Sequence, residues 1–500
     1  NNKGGLFMSI KRFLALILAI TVLVSLMTGC ASKNNENEAN KETINQTNDK
    51  MEEVKDRTTD VVVIGAGGAG LTAALEVKKA GKDVIVVEKM PMVGGNTLRA
   101  TGGINAAGTT VQKELGIEDS VDIHYEDTMK GGYEKNDPKL VRTLAENAAD
   151  AVEWLISLGA DLNDVGRLGG ATNNRAHRPT GGAAVGSHIV QVLKENAEKE
   201  NIEILLETKA TEIIYEDNEV KGIVAVDKAG NEFRIEAKAV IIATGGFGAN
   251  IDMVAEINSS LAGFGTTNQP GATGDGIVMA EAIGAALTQM DEIQTHPTAV
   301  PSNGYMITEA VRGNGAILIN RDGKRFTNEI GTRDVVSADI LAQEGQTAYL
   351  LFDTNVRESL KAIEEYISMK LTTEGETLEE LAEKLNISAE NLVETINNYN
   401  NYVDSKEDKE FDRPDMPRKL DKGPYFAIEV VPAIHHTMGG IKINEKAQVL
   451  DKEGNIMKGL YAAGEVTGGV HGGNRLGGNA LADIIVFGRI AGQTAVEELK

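Results

Sequence analysis

The segment from residue 60 to residue 88 restricts the possible folds of this chain more than any other. The run Asp60–Ile64 is apolar and β-branched, which is typical of a buried parallel strand. It leads into Gly65-Ala66-Gly67-Gly68-Ala69-Gly70, and an Ala- and Leu-rich helical stretch follows to about Ala80. A second apolar run, Asp83–Val87, ends in Glu88, about 20 residues after the last glycine. This arrangement predicts a βαβ unit that binds a dinucleotide.

The rest of the predicted sheet lies far along the chain. Backbone amides at the start of the first helix would hold a pyrophosphate, and Glu88 would accept bonds from ribose hydroxyls. Two later stretches, Ala239–Gly246 and Gly459–Glu465, have the pattern of further strands of the same sheet. A sheet that begins near residue 60 and ends near residue 460 must contain an insertion, which we assign to residues 291–434. It includes a helix predicted over Ala389–Tyr402 and would cover the first lobe as a cap, with a ligand at the junction.

The same glycine motif serves both NAD and FAD, so other segments decide between them. Gly94-Gly95-Asn96-Thr97 and Thr101-Gly102-Gly103 supply backbone amides where a flavin ring system would lie. The return to Gly464-Glu465, followed by a helix beginning near Gly478, fits an extended cofactor that spans the lobe. No second motif of this kind suggests a separate nicotinamide domain, so FAD is the predicted cofactor. The predicted class is α/β, or α+β overall: a Rossmann-like FAD-binding lobe (57–290 and 435–500) with an inserted α+β capping domain.

The distribution of charge argues for a small anionic ligand. The formal net charge is −24, which argues against nucleic-acid binding, because that function requires a basic surface. Arg and His nevertheless recur in glycine-rich and turn-rich segments, and guanidinium groups match carboxylates bidentately. These segments contain His296, Thr308, Glu309, Arg312, Arg333, His435 and Arg475. They are predicted to build a local cationic pocket for a dicarboxylate, and the family resemblance given below implies that these residues share it.

The N-terminal residues are predicted to be a targeting segment. Lys11 and Arg12 precede an apolar run over residues 13–27, and Thr28-Gly29-Cys30 follows. This predicts a signal peptide over residues 1–29, with Met8 as the true start. It resembles bacterial lipoprotein signals, in which the cysteine is lipidated; the alternative is an uncleaved anchor. Residues 30–56 are polar and are predicted to be a disordered tether, which would hold the body at the outer face of the cytoplasmic membrane.

Three more segments complete a family resemblance: Ala176–Gly182, Thr267–Gly276 and Gly468–Gly472. With the segments above, they resemble the flavoprotein subunit of the fumarate reductase/succinate dehydrogenase family over residues 58–498. The nearest resemblance is to soluble, extracytoplasmic fumarate reductases of the flavocytochrome c type. It implies a two-electron reduction of an activated C=C bond, with hydride from flavin N5 and a proton from a protein acid.

The resemblance implies a division of labour within the cationic pocket. Arg333 would be the proton donor, and Glu309 and Arg312 would return its proton, because arginine by itself is a poor acid. The remaining residues would bind the two substrate carboxylates: His296 and Thr308, with Glu309, at one end, and His435 and Arg475 at the other.

The resemblance also implies which residues contact FAD. Membrane-bound family members link FAD to a histidine where this chain has Asn96, so the FAD is expected to be non-covalent. No metal site is expected. The FAD-binding set is Gly65, Gly67, Ala69, Gly70, Glu88, Asn96, Thr97, Gly102, Gly103, Ala210, Thr244, Gly245, Asp275, His436, Glu465, Arg475, Ala480 and Leu481.

Three functions remain open from the sequence. The first is reduction of fumarate to succinate, with electrons from a separate membrane or surface donor. The second is reduction of another enoate, such as urocanate, methacrylate or an aryl acrylate. Retention of both carboxylate-binding pairs favours the dicarboxylate. The third is a non-catalytic lipoprotein that relays electrons through FAD or senses dicarboxylates, and the complete set Glu309, Arg312 and Arg333 argues against it.

Overall fold

The computed structural model of the chain describes residues 55–499. The predicted signal peptide, Cys30 and nearly all of the predicted tether lie outside the described residues. Within 55–499, no helix combines the length and apolar character needed to cross a membrane. In the same range, no cluster of His, Cys, Asp and Glu side chains could ligate a metal ion.

The apolar runs near residues 60, 85, 240 and 460 lie side by side in one sheet, as predicted. The strand Arg57–Ile64 is parallel to Val84–Val87 on one side and to Glu232–Ile242 on the other. Ile456–Ala462 is parallel to Glu232–Ile242, with Leu460 opposite Val240. In spatial order the sheet runs Gln448–Leu450, Ile456–Ala462, Glu219–Val226, Glu232–Ile242, Arg57–Ile64, Val84–Val87 and Glu203–Leu205, and Lys209–Glu216 pairs with Glu219–Val226.

Two helices pack unusually closely beside this sheet. Gly68–Lys79 follows the glycine motif and lies against Asn479–Glu498, the last helix of the chain. A Cβ atom at Gly488 would lie 2.8 Å from the carbonyl oxygen of Ala69, and one at Gly492 would lie 2.6 Å from that of Ala73. The two glycines therefore permit the contact, which brings the C-terminal helix next to the dinucleotide motif.

The cap is built around a second sheet. Its long strand Tyr425–Thr437 pairs with Ile293–Ala299 and Ala348–Asp353, and also with Thr373–Gly375, while Ile317–Ile319 extends the sheet. The helix predicted over Ala389–Tyr402 is present as Ala389–Ser405. The other cap helices are Glu309–Gly313, Arg333–Leu341, Thr354–Ser359, Ala362–Ser368 and Leu378–Leu385, with the 3-10 turn Glu344–Gln346.

The remaining elements connect the lobe and line its surface. The helices are Thr110–Glu114, Val121–Gly131, Pro138–Ser157, Val185–Lys199, Ile251–Ile257 and Asp275–Ala282, with 3-10 turns at Gly95–Arg99 and Ser259–Leu261. Two small sheets consist of Ile104–Asn105, Asp164–Gly166 and Ala176–Arg178, and of Leu287–Thr288, Gly440–Lys442 and Thr467–Gly468.

Two hydrophobic cores reflect the inserted arrangement. One core draws its residues from 61–285 and again from 434–496, whereas the other lies wholly within 300–430. The strand Tyr425–Thr437 continues through residue 434, the predicted end of the cap, so it belongs to both cores. The residue ranges of the two cores agree with a cap inserted between two parts of the FAD-binding lobe. The exact boundaries, 57–290, 291–434 and 435–500, stay predictions.

Two glycines of the dinucleotide motif should respond differently to a methyl group. An added Cβ at Gly70 would lie 1.8 Å from the carbonyl oxygen of Gly65, whereas one at Gly67 meets nothing within 4 Å. We expect Gly70→Ala to destabilise the flavin-free protein by about 3 kcal/mol, because the helix must move off the strand. Gly67→Ala should melt near the wild-type temperature but lose dinucleotide affinity, because its methyl enters the space above the loop. Thermal melting by circular dichroism and flavin absorbance check both, and equal melting of the two variants would contradict this reading.

Candidate active site

The glycine motif opens onto a cavity suited to the adenosine and pyrophosphate half of a dinucleotide. The helix Gly68–Lys79 starts after Gly67, which offers no side-chain cap. The amide of Gly68 donates to Thr97 Oγ1 at 3.1 Å, and the amides that follow it in the first turn remain available to an anion. The Glu88 carboxylate accepts from the amides of Ala66 and Met90, at 2.8 Å each, and faces the same cavity. Ten more members of the predicted set line it: Gly65, Gly67, Ala69, Asn96, Thr97, Ala210, Thr244, Gly245, Asp275 and Glu465.

One predicted cofactor residue has a different place. Gly70 lines neither this cavity nor its neighbour, because it lies where the first helix packs against the Gly65 carbonyl. Its role is therefore to permit that contact. Asp275 does line the cavity, but its carboxylate is paired with Lys89 at 2.8 Å and Lys209 at 3.3 Å.

A larger cavity of about 780 Å³ continues from the first, and the two share Asn96, Thr97, Glu465 and Ile484. The C-terminal helix begins at its wall, after Gly478, again without a side-chain cap. Helix N-terminal amides at this position suit the electron-rich part of a flavin. The remaining predicted flavin contacts all line this cavity: Gly102, Gly103, His436, Arg475, Ala480 and Leu481. The two cavities together therefore fit FAD.

The side chain of Asn96 is occupied by the protein itself. Its Nδ2 donates to Asn268 Oδ1 at 2.5 Å, and its Oδ1 accepts from the amide of Gln269 at 2.8 Å. Asn96 thus holds the loop at 268–269 against the cavity. A neutral amide engaged in this way is a structural contact rather than an attachment point.

The cationic residues of the distant turns meet in the larger cavity. His296, Thr308, Glu309, Arg333, His435 and Arg475 all line it. Arg312 does not; it lies fully buried behind Glu309. His296 and His435 are on the two paired strands Ile293–Ala299 and Tyr425–Thr437, and their ring centroids are 5.1 Å apart.

The two histidines are neutral, and the tautomer of His296 is set by its contacts. His296 Nδ1 accepts from the amide of Thr298 at 3.3 Å, so the proton lies on Nε2, which has no partner among residues 55–499. His435 Nδ1 lies 2.7 Å from Thr267 Oγ1. Burial, and then the charge of Arg333, lowers the pKa of both histidines well below its usual value. The positive charge beside the two histidines therefore comes from Arg333 and Arg475.

Arg333, Glu309 and Arg312 form a chain. Arg333 Nε donates to Glu309 Oε2 at 3.0 Å, and Arg312 Nη2 lies 4.0 Å from the same oxygen. Burial raises the pKa of Glu309, but the charges of Arg333 and Arg312 outweigh it and lower the pKa to about 2. Burial lowers the pKa of Arg312 to about 10. Glu309 is therefore ionised and lies between two cations.

Gln294 is a site residue that the sequence analysis missed. Its Oε1 accepts from Arg333 Nη1 at 3.1 Å, and its Nε2 donates to the Arg475 carbonyl at 2.9 Å. Gln294 therefore ties the predicted acid to the loop that carries Arg475. It stands two positions before His296 on one strand, hence on the same face, and this spacing could have revealed it.

Thr308 is held from both sides of the junction between lobe and cap. Its Oγ1 accepts from Thr101 Oγ1 at 3.0 Å, and its amide donates to the Tyr366 hydroxyl at 3.1 Å. Burial raises the pKa of Tyr366 to about 12, so this hydroxyl stays protonated and can donate in turn. Tyr366 lies in a separate cap helix, and no local signal marks it.

We expect His296 to remain a neutral Nε2–H tautomer between about pH 6 and 8 in the ligand-free protein. Its folded-state pKa is depressed, so the unfolded chain takes up the proton first as pH falls. The stability that depends on this residue is accordingly present above about pH 6.5 and declines below it. Histidine ¹⁵N NMR, with His296→Gln to identify the signals, measures the tautomer. A signal that titrates near 6.5 would show that burial does not control this ring.

Comparison with known proteins agrees with this geometry. The family model "FAD binding domain" matches residues 60–481. The chain is 52% identical over 444 residues to "Fumarate reductase (cytochrome)" of Shewanella frigidimarina, covering 89% of this chain and 78% of that protein. It is 38% identical over 451 residues to "Urocanate reductase" of Eggerthella lenta, covering 87% and 74%. The solved structure of the open conformation of a flavocytochrome c3 fumarate reductase is also similar, with TM-score 0.78, 46% identity and coverage of 88% and 78%.

Proposed function

The chain belongs to the FAD-dependent fumarate reductase/succinate dehydrogenase flavoprotein family, and on this premise we propose that it reduces fumarate to succinate. It is an FAD-dependent oxidoreductase that acts on CH–CH groups. The observation that carries the choice of substrate is the convergence of two carboxylate-binding pairs on one cavity. These pairs are His296 with Thr308 and His435 with Arg475.

The residues orient the substrate and supply the proton. Reduced FAD, when bound, provides the hydride for one alkene carbon. The two pairs hold the carboxylates at opposite ends, which aligns the double bond and favours charge that develops during the reaction. Arg333 donates a proton to the other carbon. Arg312, whose pKa is lowered to about 10, then gives a proton to the Glu309 carboxylate, which passes it on to the neutral Arg333 and returns to its ionised form.

Three further features belong to the proposal. FAD is held without a covalent bond, since Asn96 occupies the place of the linking histidine. The lipoprotein signal supports attachment through Cys30 at the outer face of the bacterial cytoplasmic membrane. Electrons come from a separate donor at that surface.

A related enoate is the second candidate, because the chain is also similar to a urocanate reductase. The deciding measurement follows oxidation of reduced methyl viologen by the FAD-loaded protein from Lys55 onwards. Fumarate, urocanate, methacrylate and cinnamate are compared. We expect fast turnover with fumarate alone, since the substrate must engage both pairs. Preference for a monocarboxylate would overturn the role of one carboxylate-binding pair. No turnover with any of the four compounds would favour a non-catalytic protein that relays electrons through FAD or senses dicarboxylates.

Arg333→Ala tests the proton donor. We expect kcat with fumarate to fall at least about 100-fold, in the range of general-acid contributions. The matched control is Arg99→Ala. Arg99 also lines the cavity, but it donates to the Thr267 carbonyl and is not part of the proposed proton relay, which consists of Arg312, Glu309 and Arg333. Flavin absorbance confirms that both variants keep the cofactor. Turnover of Arg333→Ala within tenfold of wild type would remove Arg333 from this role.

Anchoring is tested separately with Cys30→Ser in the full chain. We expect the wild-type protein in the membrane fraction of the producing bacterium, because its acyl chains partition into the bilayer. The variant should lose the lipid and leave that fraction on washing. Fractionation with immunoblotting measures this, and an equal distribution of the two proteins would refute the lipid anchor.

A further inference from the structure

A second group of buried charges lies directly behind the relay. It consists of Arg325, Glu329, Asp408 and Arg413, which we call the cap cluster. Both Glu329 oxygens accept from Arg325 at 2.9 Å, and one also accepts from Arg413 at 2.9 Å. Arg325 also donates to Asp408 at 2.8 Å. Buried ion pairs add little net stability compared with apolar packing, so this cluster calls for another explanation.

The cap cluster contacts the relay at one residue, Arg312. Arg413 Nη2 donates to the carbonyl of Arg312 at 2.6 Å, and Arg413 Nη1 donates to that of Ala316 at 3.0 Å. At the other end of its side chain, Arg312 Nη1 donates to the carbonyl of Glu329. The cluster therefore holds Arg312 by both its backbone and its guanidinium.

This double support matters because the element that carries the relay is short. Glu309 and Arg312 belong to the helix Glu309–Gly313, which has five residues. A helix of this length does not keep its shape without tertiary contacts. Arg413 bonds to the carbonyl of its last turn, and thereby sets the position of both relay residues.

These contacts leave part of the Arg312 guanidinium without a hydrogen bond, on the side that faces Glu309. Its Nε and Nη2 have no hydrogen-bond partner among the described residues, and Nη2 points to within 4.0 Å of Glu309. The Arg413 guanidinium also lies near Arg312. Burial, followed by the charges of Arg333 and Arg413, lowers the pKa of Arg312, against opposite contributions from Glu309 and Glu329. Arg413 therefore makes proton release from Arg312 easier.

We propose that Arg413, anchored on Glu329, is a positioning residue that holds Arg312 in place and promotes transfer of its proton to Glu309. This inference rests on the proposed proton relay. The cap cluster would then contribute to proton transfer, although none of its four residues lines the cavity.

The test compares Arg413→Met with Arg413→Lys in the FAD-loaded enzyme. We expect Arg413→Met to lower kcat at least about tenfold, because Arg312 loses the backbone contact that holds it in place and a neighbouring charge that favours release of its proton. The KM for fumarate should stay within about twofold, because the carboxylate-binding pairs are intact. The solvent deuterium isotope effect on kcat should increase, because proton delivery becomes slower than hydride transfer. Arg413→Lys keeps the charge but loses the planar fork of donors, so its kcat should lie between those of wild type and Arg413→Met.

Arg418→Met is the matched control. Arg418 follows in the same segment and donates to the Asn314 carbonyl at 2.9 Å, just beyond the same short helix. Its charge is not among the largest of those that act on Arg312. We expect its kcat and isotope effect to equal those of wild type. Circular dichroism and flavin absorbance verify that each variant is folded and loaded.

The outcomes separate the inference from the function on which it rests. If folded Arg413→Met keeps kcat within twofold of wild type, or if Arg418→Met loses as much, the positioning role is wrong. Should Arg413→Met fail to fold, Arg413→Gln replaces it, since its amide can still reach one of the same carbonyls. If wild type reduces another enoate instead of fumarate, the comparison uses that enoate. If it reduces none, both the function and the inference are overturned.

Discussion

The ion pair between Arg333 and Glu309 is the contact on which the arrangement of the site depends. It joins the first residues of two cap helices, Glu309–Gly313 and Arg333–Leu341, at 3.0 Å. The carboxylate of Glu309 also compensates the charges of Arg312 and Arg475, which act on it together with Arg333. Without it, three arginines would repel one another in a region of low dielectric. The pocket can therefore remain cationic towards a ligand while its own charges are balanced.

A pair of strands carries this chemistry from the lobe into the cap. Ile293–Ala299 and Tyr425–Thr437 lie antiparallel, with Gln294 opposite His436. Both strands reach from one hydrophobic core towards the other, so their side chains are fixed by packing on both sides. Site residues on rigid strands hold their positions more closely than residues on loops. Thr308, held by the lobe and by the cap, adds a direct bond across the junction.

Much of the fold followed from patterns in the sequence, and the reason is locality. The strands and the first helix were predicted because β-branched runs, helical stretches and glycine spacing reflect short-range backbone geometry. The cationic turns were recognised, and six of their seven residues line the cavity. Gly70 was assigned to the cofactor, although steric contact between helix and strand explains it. Gln294 and Tyr366 were missed, since their side chains act through partners that lie far away in the sequence.

The sequence by itself determined the dinucleotide lobe, the choice of FAD and the residue types that a dicarboxylate requires, because each depends on local spacing or on the chemistry of single side chains. Only the tertiary structure decided which of those side chains meet. Gln294 contacts the carbonyl of a residue 181 positions away, and Arg413 contacts the carbonyl of a residue 101 positions away. Such pairings arise when two sheets and their helices pack together. The proposed proton relay and the contacts that would support it in the cap therefore depend on the folded chain.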